Sequence, residues 1–391
     1  MSKPSSIGEA AEEALLEAGE VCSDRLLKIF EAGPGEVSPL ASLARRIKAK
    51  LRGSVISYSR KVFIPLTRLC RNACKYCAFR LDYVRPGEIY MKPSEVLSVA
   101  EAGSRAGCFE ALFTLGEKPE EKYPEALSEL KSMGYSSTIE YLYDCCRLVY
   151  RRTGLLPHSN PGILTYEELK ALREVNVSLG LMLENVSPRL LGPGMPHEHS
   201  PGKNPKLRLK TIEDAGRLRI AFTTGILLGI GETPSEIVHS LQAIRELNRR
   251  YGHIQEVIIQ PFRAKKGTGM EGFREPSTLD LIKAIIVARL IFKGETAVQT
   301  PPNLLDAEGL RRVAGAGIDD WGGISPVTID YVNPESPWPQ VEALREAVEA
   351  WGFKLRVRLP TYPSHINDEF VPEAFRDRVL RLTDGLGYVE E

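Results

Sequence analysis

The sequence lacks a net charge, a long apolar run and a secretion signal. Its 391 residues contain 51 basic and 51 acidic side chains, so no overall field would attract nucleic acid or an anionic membrane. No stretch approaches the roughly 18–20 apolar residues of a membrane-spanning helix. The N-terminus lacks the basic and apolar regions of a signal peptide. We therefore expect a cytoplasmic protein with no nucleic-acid or membrane partner.

Cysteine is scarce as well, and its most informative cluster is one ligand short. Of seven cysteines, Cys70, Cys74 and Cys77 follow the apolar run 62–66 with the spacing C-x-x-x-C-x-x-C. A structural zinc normally takes four protein ligands, and an electron-transfer 4Fe-4S cluster normally takes four cysteines. Three thiolates therefore leave one metal position open to an exogenous molecule. The odd count and this cluster favour a reducing compartment such as the cytosol.

Apolar strand-like runs alternate with helical patterns through the middle of the chain. The predicted strands are 62–66, 111–115, 155–157, 178–183, 221–228, 256–260 and 296–298. The predicted helices between them are 93–103, 124–133, 138–153, 165–176, 234–251 and 279–291. This alternation predicts βαβ units on a parallel sheet, and the absence of a doubly wound signature favours an α/β fold of the TIM-like (β/α) barrel type.

The two ends of the chain have different patterns. Residues 1–54 contain two amphipathic patterns, 7–31 and 39–51, and predict an N-terminal helical extension. The barrel is assigned to residues 55–316. The turn-rich stretch 319–326 and two helical patterns, 340–351 and 372–382, predict a C-terminal segment, 317–391, that packs on the barrel and closes it.

The cysteine spacing, with Tyr76 directly before the last cysteine, resembles that of the radical S-adenosylmethionine (SAM) enzymes. The resemblance implies a 4Fe-4S cluster held by Cys70, Cys74 and Cys77, with S-adenosyl-L-methionine bound to the open iron. It also implies that Tyr76 lies at the SAM site. The catalytic radical would be generated at this cluster, and no further catalytic residue is assigned.

Two predicted strand ends carry residues that resemble SAM ligands of this family. Gly116 and Glu117 stand where many members have Gly-Gly-Glu, although Leu115 replaces the first glycine here. Glu184 resembles the carboxylate that binds the ribose hydroxyls, since a carboxylate accepts two hydrogen bonds from a diol. Taken alone, the first would be a strand-ending turn and the second a surface glutamate. Their order after the cysteines favours the SAM site.

A further strand end and the entry of a helix extend this resemblance. Leu227, Gly229 and Gly231 match the family's Gly-x-Ile-x-Gly-x-x-Glu element, with Leu227 where isoleucine is usual. They would pack against the adenine and give the nucleoside room, although strand-turn-helix capping would explain the pattern alone. Arg208 lies where related enzymes have an arginine that pairs with the SAM carboxylate, and a solvated surface arginine is the equal alternative.

Three other patterns have plainer interpretations. The run 267–272 matches G-x-G-x-x-G but opens no helix, so we predict a loop. The pair His197 and His199 lacks a third ligand, which favours a polar substrate-binding loop over a second metal. The remaining cysteines are predicted to be buried small apolar residues. They are Cys22, Cys108, Cys145 and Cys146.

Longer segments resemble one subfamily, the 7,8-didemethyl-8-hydroxy-5-deazariboflavin synthases. These segments are 58–80, 113–120, 158–162, 179–184 and 260–263, and the resemblance covers residues 55–360. It implies that SAM is cleaved to 5′-deoxyadenosine and methionine. It also implies conversion of a tyrosine–ribitylaminouracil adduct, 5-amino-5-(4-hydroxybenzyl)-6-(D-ribitylimino)-5,6-dihydrouracil, to the deazaflavin with release of ammonia. A partner subunit would supply the adduct and a reductant would reduce the cluster.

The substrate carries a phenol, a uracil and a ribityl chain, which need polar ligands. The candidates are His158, Asn160, His197, His199, Gln260 and Arg263. Two alternatives stay open at this point. The chain could be a sister radical SAM enzyme, either the subunit that joins tyrosine to the uracil or an aminofutalosine-pathway enzyme. It could also be a non-enzymatic protein whose three cysteines and a histidine hold a structural zinc.

Overall fold

Nine strands, all paired in parallel, organise the computed structural model, which describes residues 21–390. Their bounds are β1 Val55–Pro65, β2 Glu110–Thr114, β3 Leu156–Asn160, β4 Ser178–Gly180, β5 Phe222–Leu228, β6 Ile254–Pro261, β7 Ala297–Gln299, β8 Asp320–Ile324 and β9 Lys354–Arg358. Strands β1 to β8 neighbour one another in chain order, and β8 returns to β1. This closes an eight-stranded barrel and confirms the predicted fold class.

Helices follow most strands and surround the barrel. They are α1 Ser23–Glu31, α2 Pro34–Arg52, α3 Pro93–Arg105, α4 Pro124–Ser132, α5 Thr138–Thr153, α6 Tyr166–Val175, α7 Pro205–Arg217, α8 Pro234–Tyr251, α9 Thr278–Phe292, α10 Ala307–Gly315, α11 Val341–Ala350 and α12 Glu373–Leu382. Residues at the helix starts specify several of these bounds. Thr165, Thr233 and Ser277 each accept a hydrogen bond from the backbone N–H three residues on.

The alternation of side chains along the strands separates an outer core from the barrel interior. On β1, Val62 is fully buried and faces α3, where a Cβ on Gly103 would lie 2.7 Å from its side chain. Its neighbours Lys61 and Phe63 point the other way, into the barrel. The apolar layer between sheet and helices therefore stabilises the barrel, while the interior holds polar groups.

Helices α1 and α2 cover α9, which explains the composition of α9. Every residue of α9 from Leu281 to Phe292 is buried, so this helix has no polar face. It packs against both N-terminal helices, and an otherwise exposed apolar surface is thereby removed from water. The part of the predicted helix 7–31 that precedes residue 21 lies outside the described residues.

The structure adds two strands to those expected from the sequence. The turn-rich stretch contains β8, which pairs with β7 and β1. Strand β9 pairs with the first half of β1, from Val55↔Lys354 to Ser59↔Arg358. Since β8 lies beyond residue 316, its position favours extending the barrel to residue 324, and the division into domains stays a prediction.

Cys22 is exposed, so the expectation that it is buried was wrong. No helix between residues 21 and 390 is long and apolar enough to cross a membrane.

Candidate active site

A cavity of about 400 Å³ occupies the carboxyl end of the barrel strands. This is the end at which barrel enzymes place their active sites, and the volume suits a small organic ligand. Most of the residues selected from the sequence line it. They are Cys70, Cys74, Tyr76, Cys77, Gly116, Glu117, His158, Asn160, Glu184, Arg208, Leu227, Gln260 and Arg263.

Backbone contacts hold the loop that carries the three cysteines. The Gly116 N–H donates to Thr67 O at 2.8 Å, and a Cβ on Gly116 would lie 2.0 Å from Leu69 O. Only glycine fits there, because the loop passes directly over the end of β2. Farther along the loop, Lys75 N donates to Pro196 O at 2.9 Å. The chain between β4 and α7 therefore clamps the cysteine loop from the other side.

Burial disfavours ionisation of two of the three cysteine thiols in the absence of a metal. Burial raises the pKa of Cys70 to about 11 and also raises the pKa of Cys74. Both thiols therefore keep their protons at neutral pH until a metal displaces them. The Glu117 N–H donates to Cys70 Sγ at 3.2 Å, a contact that would stabilise a thiolate.

Among residues 21–390, no group of three or more His, Cys, Asp or Glu side chains converges on a single-ion site. In a 4Fe-4S cluster each cysteine binds its own iron, so the three thiols need to face one cavity without meeting at a point. Cys70, Cys74 and Cys77 all line the same cavity.

Glu117 lies in a confined cradle beside the cysteines. Its carboxylate Oε1 accepts from Arg71 Nη2 at 2.6 Å and from Arg71 Nε at 2.9 Å. A Cβ on Gly162 would come within 2.3 Å of this carboxylate, and one on Gly202 within 1.9 Å. The two glycines therefore make room for an ion pair at the cavity wall, where Arg208 Nη2 is 4.0 Å from Glu117 Oε2.

Glu184 is held in a backbone conformation that is rare for a residue with a side chain. Its φ is 64°, and Glu184 N donates to Gly225 O at 3.0 Å while its own carbonyl accepts from Leu227 N at 3.1 Å. Its carboxylate accepts from Lys203 Nζ at 2.5 Å. The neighbouring strand therefore fixes a strained residue so that its carboxylate lines the cavity.

Arg208 is buried and Tyr76 partly buried beside the cavity. Arg208 Nε donates to Gly202 O at 2.8 Å, and its Nη1 donates to Met182 O. Arg208 is therefore a buried cavity residue rather than a solvated surface arginine. The hydroxyl of Tyr76 lies 3.1 Å from His197 Nε2, so His197 contacts the site through Tyr76 rather than by lining the cavity.

His158 takes part in a buried chain of hydrogen bonds. Ser178 Oγ donates to Pro360 O at 3.0 Å, so the only remaining role for its oxygen is to accept from His158 Nδ1 at 2.6 Å. Burial lowers the pKa of His158 to about 4, and the neutral ring then leaves Nε2 as an acceptor. Nε2 lies 3.0 Å from Asn160 Oδ1, so an acceptor Nε2 requires this side-chain amide to be turned with its NH₂ group toward the ring.

Other residues selected from the sequence lie at the rim or outside the cavity. Arg263 pairs with Glu275 at 2.7 Å at the rim. The side chain of His199 is 80% exposed, and neither it nor His197 lines the cavity. Gly229 and Gly231 have φ values of 93° and 102° and form the turn after β5, also outside the lining. Their assignment to SAM stays a prediction.

Sequence reasoning missed the polar floor of the cavity. This floor consists of strand side chains that line the barrel interior: Lys61, Glu110, Glu256, Gln299 and Arg358. Lys61 Nζ pairs with Glu110 Oε1 at 2.8 Å, and Arg358 pairs with Glu256 at 3.2 Å. Buried charge in a barrel interior, where apolar layers are usual, is itself a signal of function. Lys61, one residue before the apolar run that leads to the cysteines, was the available hint.

Comparison with known proteins defines the class. The sequence profile of the Radical SAM superfamily matches residues 64–244. Methylornithine synthase (PylB) superposes with a TM-score of 0.70 at 19% identity, over 88% of this chain and 96% of PylB. The FeFe-hydrogenase maturase HydG from Carboxydothermus hydrogenoformans superposes with a TM-score of 0.72 at 18% identity, over 93% of this chain and 81% of HydG. These likenesses show the fold. Together with the three cysteines on the cavity, they define a radical SAM enzyme.

Curated relatives narrow the class to one family. The "7,8-didemethyl-8-hydroxy-5-deazariboflavin synthase" of Methanopyrus kandleri is 50% identical over 334 residues, which cover 85% of this chain and 99% of that protein. The protein of the same name from Methanocaldococcus jannaschii is 51% identical over 337 residues, 86% and 92% of the two chains. The chain belongs to the 7,8-didemethyl-8-hydroxy-5-deazariboflavin synthase family. The findings support this assignment rather than a sister enzyme or a structural zinc protein.

A longer relative matches over part of its length. The "FO synthase" of Streptomyces coelicolor is 45% identical over 371 residues, which cover 91% of this chain but 42% of that protein. The present barrel therefore corresponds to less than half of the Streptomyces protein.

The residues present fit the cofactors of the class. Radical SAM enzymes use a 4Fe-4S cluster and S-adenosyl-L-methionine, and three thiols on one cavity supply the incomplete ligand set that this pair requires. The Gly116 backbone and the Glu117 cradle follow β2, the Glu184 carboxylate follows β4, and all three line the same cavity. An ammonium and a diol both need such acceptors.

Proposed function

We propose that this chain forms 7,8-didemethyl-8-hydroxy-5-deazariboflavin from the tyrosine–ribitylaminouracil adduct, with release of ammonia. It would thus act as an ammonia-releasing lyase. The observation that carries the proposal is the single cavity onto which both the three cysteines and the polar barrel interior open. The high identity to the named synthases over almost their full length supports the substrate.

Cys70, Cys74 and Cys77 would hold the cluster, and Glu117, Glu184 and Arg208 would bind SAM. When bound, the reduced cluster and SAM supply hydrogen-atom abstraction. Tyr76, held by His197, would position the nucleoside, and Leu227 would contact its base. The Gly229–Gly231 turn would support this wall without lining it. These residue roles rest on the motif order and on the shared cavity.

The remaining polar residues would bind the substrate. His158, neutral at physiological pH, offers no labile acid proton, so its role would be to orient Asn160 through Nε2. Gln260 and Arg263 would bind at the rim, whereas His199 is too exposed to do so without a loop movement. The stacked pair Phe63 and Trp338, with ring centroids 5.3 Å apart, lines one side of the cavity and would limit the access of bulk water once the substrate is bound.

Supply of the adduct by a partner subunit and of electrons by a reductant belongs to the same proposal. The longer Streptomyces relative supports it, because a protein more than twice as long as the matched region has room for a second activity. A cytoplasmic location would meet the need for reduced thiols.

The test is anaerobic reconstitution with iron and sulfide, followed by reduction with SAM and the synthetic adduct. We expect 5′-deoxyadenosine, methionine, ammonium and a fluorescent deazaflavin, each quantified by mass spectrometry or fluorescence. Deoxyadenosine without deazaflavin would contradict the proposed substrate while retaining the class. A matched incubation with tyrosine and the ribityl uracil in place of the adduct shows whether this chain makes the adduct itself, which would favour the joining activity.

A further inference from the structure

Two polar side chains at the floor of the cavity reach over strand β8 from its two neighbours. Gln299 is the last residue of β7 and is 4% exposed, and Lys61 lies on β1 and is 8% exposed. Both line the cavity. Because β8 lies between β7 and β1, these side chains flank β8 from its two sides on the cavity wall.

Strand β8 is built to admit them. A Cβ on Gly322 would lie 2.4 Å from Gln299 Nε2, and one on Gly323 would lie 2.3 Å from Lys61 Cε. Any larger residue at either position would displace one of the two side chains. Two adjacent glycines therefore clear a slot over β8 in which an ammonium and an amide are both held at the cavity floor.

The hydrogen-bonding capacity of these groups is largely unused within residues 21–390. Lys61 Nζ carries three donors, and the structure gives it one acceptor in that range, Glu110 Oε1 at 2.8 Å. The Gln299 side-chain amide forms no hydrogen bond to any described residue. Polar groups this deeply buried are usually satisfied, so the arrangement is suited to a ligand that completes it.

The groups in the slot favour a neutral ligand with a particular order of hydrogen-bond donors and acceptors. The charge of Lys61 is balanced by Glu110, so a second anion has no electrostatic advantage. Lys61 offers a donor, and Gln299 offers an acceptor and a donor side by side. An imide edge, O=C–NH–C=O, presents the complementary acceptor, donor and acceptor. We propose that Lys61 and Gln299 bind the imide edge of the pyrimidinedione ring of the substrate.

The other polar groups of the floor are less available for this role. Glu256 Oε1 accepts from Thr223 at 2.9 Å, and its Oε2 accepts from Arg358 at 3.2 Å and from Tyr362. Arg358 is in turn bound to Asp320 at 2.7 Å. These groups satisfy one another, so they form the base of the cavity rather than a binding surface.

The inference rests on the proposed function, since it names residues for one part of that substrate. It is tested by equilibrium binding of the fluorescent deazaflavin, which keeps the imide edge, to the protein without iron, sulfide or SAM. We expect the wild type to bind deazaflavin at least about tenfold more tightly than a derivative methylated at the imide nitrogen. Gln299→Leu and Lys61→Met should each weaken deazaflavin binding by a similar factor and lose this discrimination.

Controls separate recognition from folding. Gln242→Leu removes a glutamine amide on α8 that bonds to Ser23 at 3.1 Å outside the cavity, and it should leave binding unchanged. If Gln299→Leu fails to fold by circular dichroism, Gln299→Glu, which lacks the amide donor, replaces it. The methylated derivative needs no variant at all.

Equal binding of the two ligands by the wild type would overturn the inference, as would the absence of saturable deazaflavin binding. Failure of the reconstituted wild type to make deazaflavin would instead contradict the proposed function. The two failures are therefore distinguishable, because one is read from binding to the cofactor-free protein and the other from turnover.

Discussion

The barrel contains two largely buried groups of charged residues that have different roles. At the cavity floor, Lys61 pairs with Glu110, and Lys61 keeps donors that no described residue accepts. At the opposite end, Asp319 lies among three cations, with Arg52 Nε 3.2 Å from Asp319 Oδ1 and Arg289 also bonded to it. We call the second group, Lys48, Arg52, Arg289 and Asp319, the base cluster.

Backbone carbonyl groups accept hydrogen bonds from the cations of the base cluster. Lys48 Nζ donates to Gly53 O and Val55 O, both at 2.8 Å. Arg289 donates from Nε and Nη2 to Gly317 O at 3.0 and 2.9 Å. Lys48 and Arg289 are therefore bound to backbone carbonyl groups after α2, at the start of β1 and before β8, and the cluster joins the helices to the barrel. Buried cations that bind backbone carbonyl groups have a structural role, whereas buried charge with donors to spare marks a binding site.

The largest expected effect comes from the cavity end. Cys74→Ala should abolish cluster assembly and all SAM cleavage, because two thiolates cannot hold the cluster. The reconstituted variant should lack the cluster's visible absorbance and form no 5′-deoxyadenosine, while its unfolding transition without iron changes little. Cys22→Ala, at an exposed position, is the matched control. Retention of SAM cleavage in Cys74→Ala would refute the site.

A substitution in the base cluster should lower stability without changing ligand binding. Asp319→Asn leaves the buried Lys48 and Arg289 and the partly exposed Arg52 without their anion, so the free energy of unfolding should fall by about 3–5 kcal/mol. Deazaflavin binding by the folded fraction should not change. Glu110→Gln, the matched carboxylate at the floor, should cost less stability because cavity water can solvate Lys61, yet it should weaken binding. Denaturant titrations of both variants test this order, and equal stability losses with equal affinities would remove the distinction.

A smaller effect concerns buried histidines, which occur at both ends. Burial lowers the pKa of His158 to about 4 and that of His253 to about 3, below the model-peptide value of 6.5. The unfolded chain therefore binds protons more readily, and stability that is complete above pH 6.5 is lost as the pH falls toward 4. Each such histidine should contribute a loss of about 1.4 kcal/mol per pH unit.

Denaturant unfolding of the cluster-free protein between pH 6 and 5 measures that slope. His253 lies at the end of the barrel opposite the cavity. His253→Gln should reduce the slope of the unfolding free energy with pH by about one proton's contribution and should not affect deazaflavin binding. His158→Gln should reduce the slope equally but also weaken binding. An unchanged slope in both variants would show that these rings are not buried as neutral groups.

Much of the fold was predictable because most strands are bounded apolar runs separated by helices with clear capping residues. Strand β8 was not, because Gly322 and Gly323 resemble a turn until the neighbouring side chains that fill their space are known. Strand β9 was missed because its charged residues suggest a surface, whereas Arg358 is buried and bound to Asp320 at 2.7 Å. Tertiary contacts decided both elements.

Some residues of the cavity were likewise predictable from the sequence, and others were not. Glu117 and Glu184 were found because they follow strands, and the carboxyl ends of parallel strands meet at one edge. Lys61 and Gln299 were missed because they are about 240 residues apart and meet only when the barrel closes. The pair His197 and His199 suggested a common role, but the two side chains diverge: one is buried against Tyr76 and the other is exposed.

Strand β1 takes part in three ladders, with β2, β8 and β9, and this has a consequence for the order of folding. The contact between Ser57 and Asp320 joins residues 263 positions apart. During synthesis the first strand is therefore made long before its partners on one side, and that edge stays open until the last third of the chain has emerged. Contacts of such long range form slowly, so barrel closure should be a late step. The same closure assembles the Lys61–Gln299 slot, which makes ligand binding a reporter of the final stage of folding.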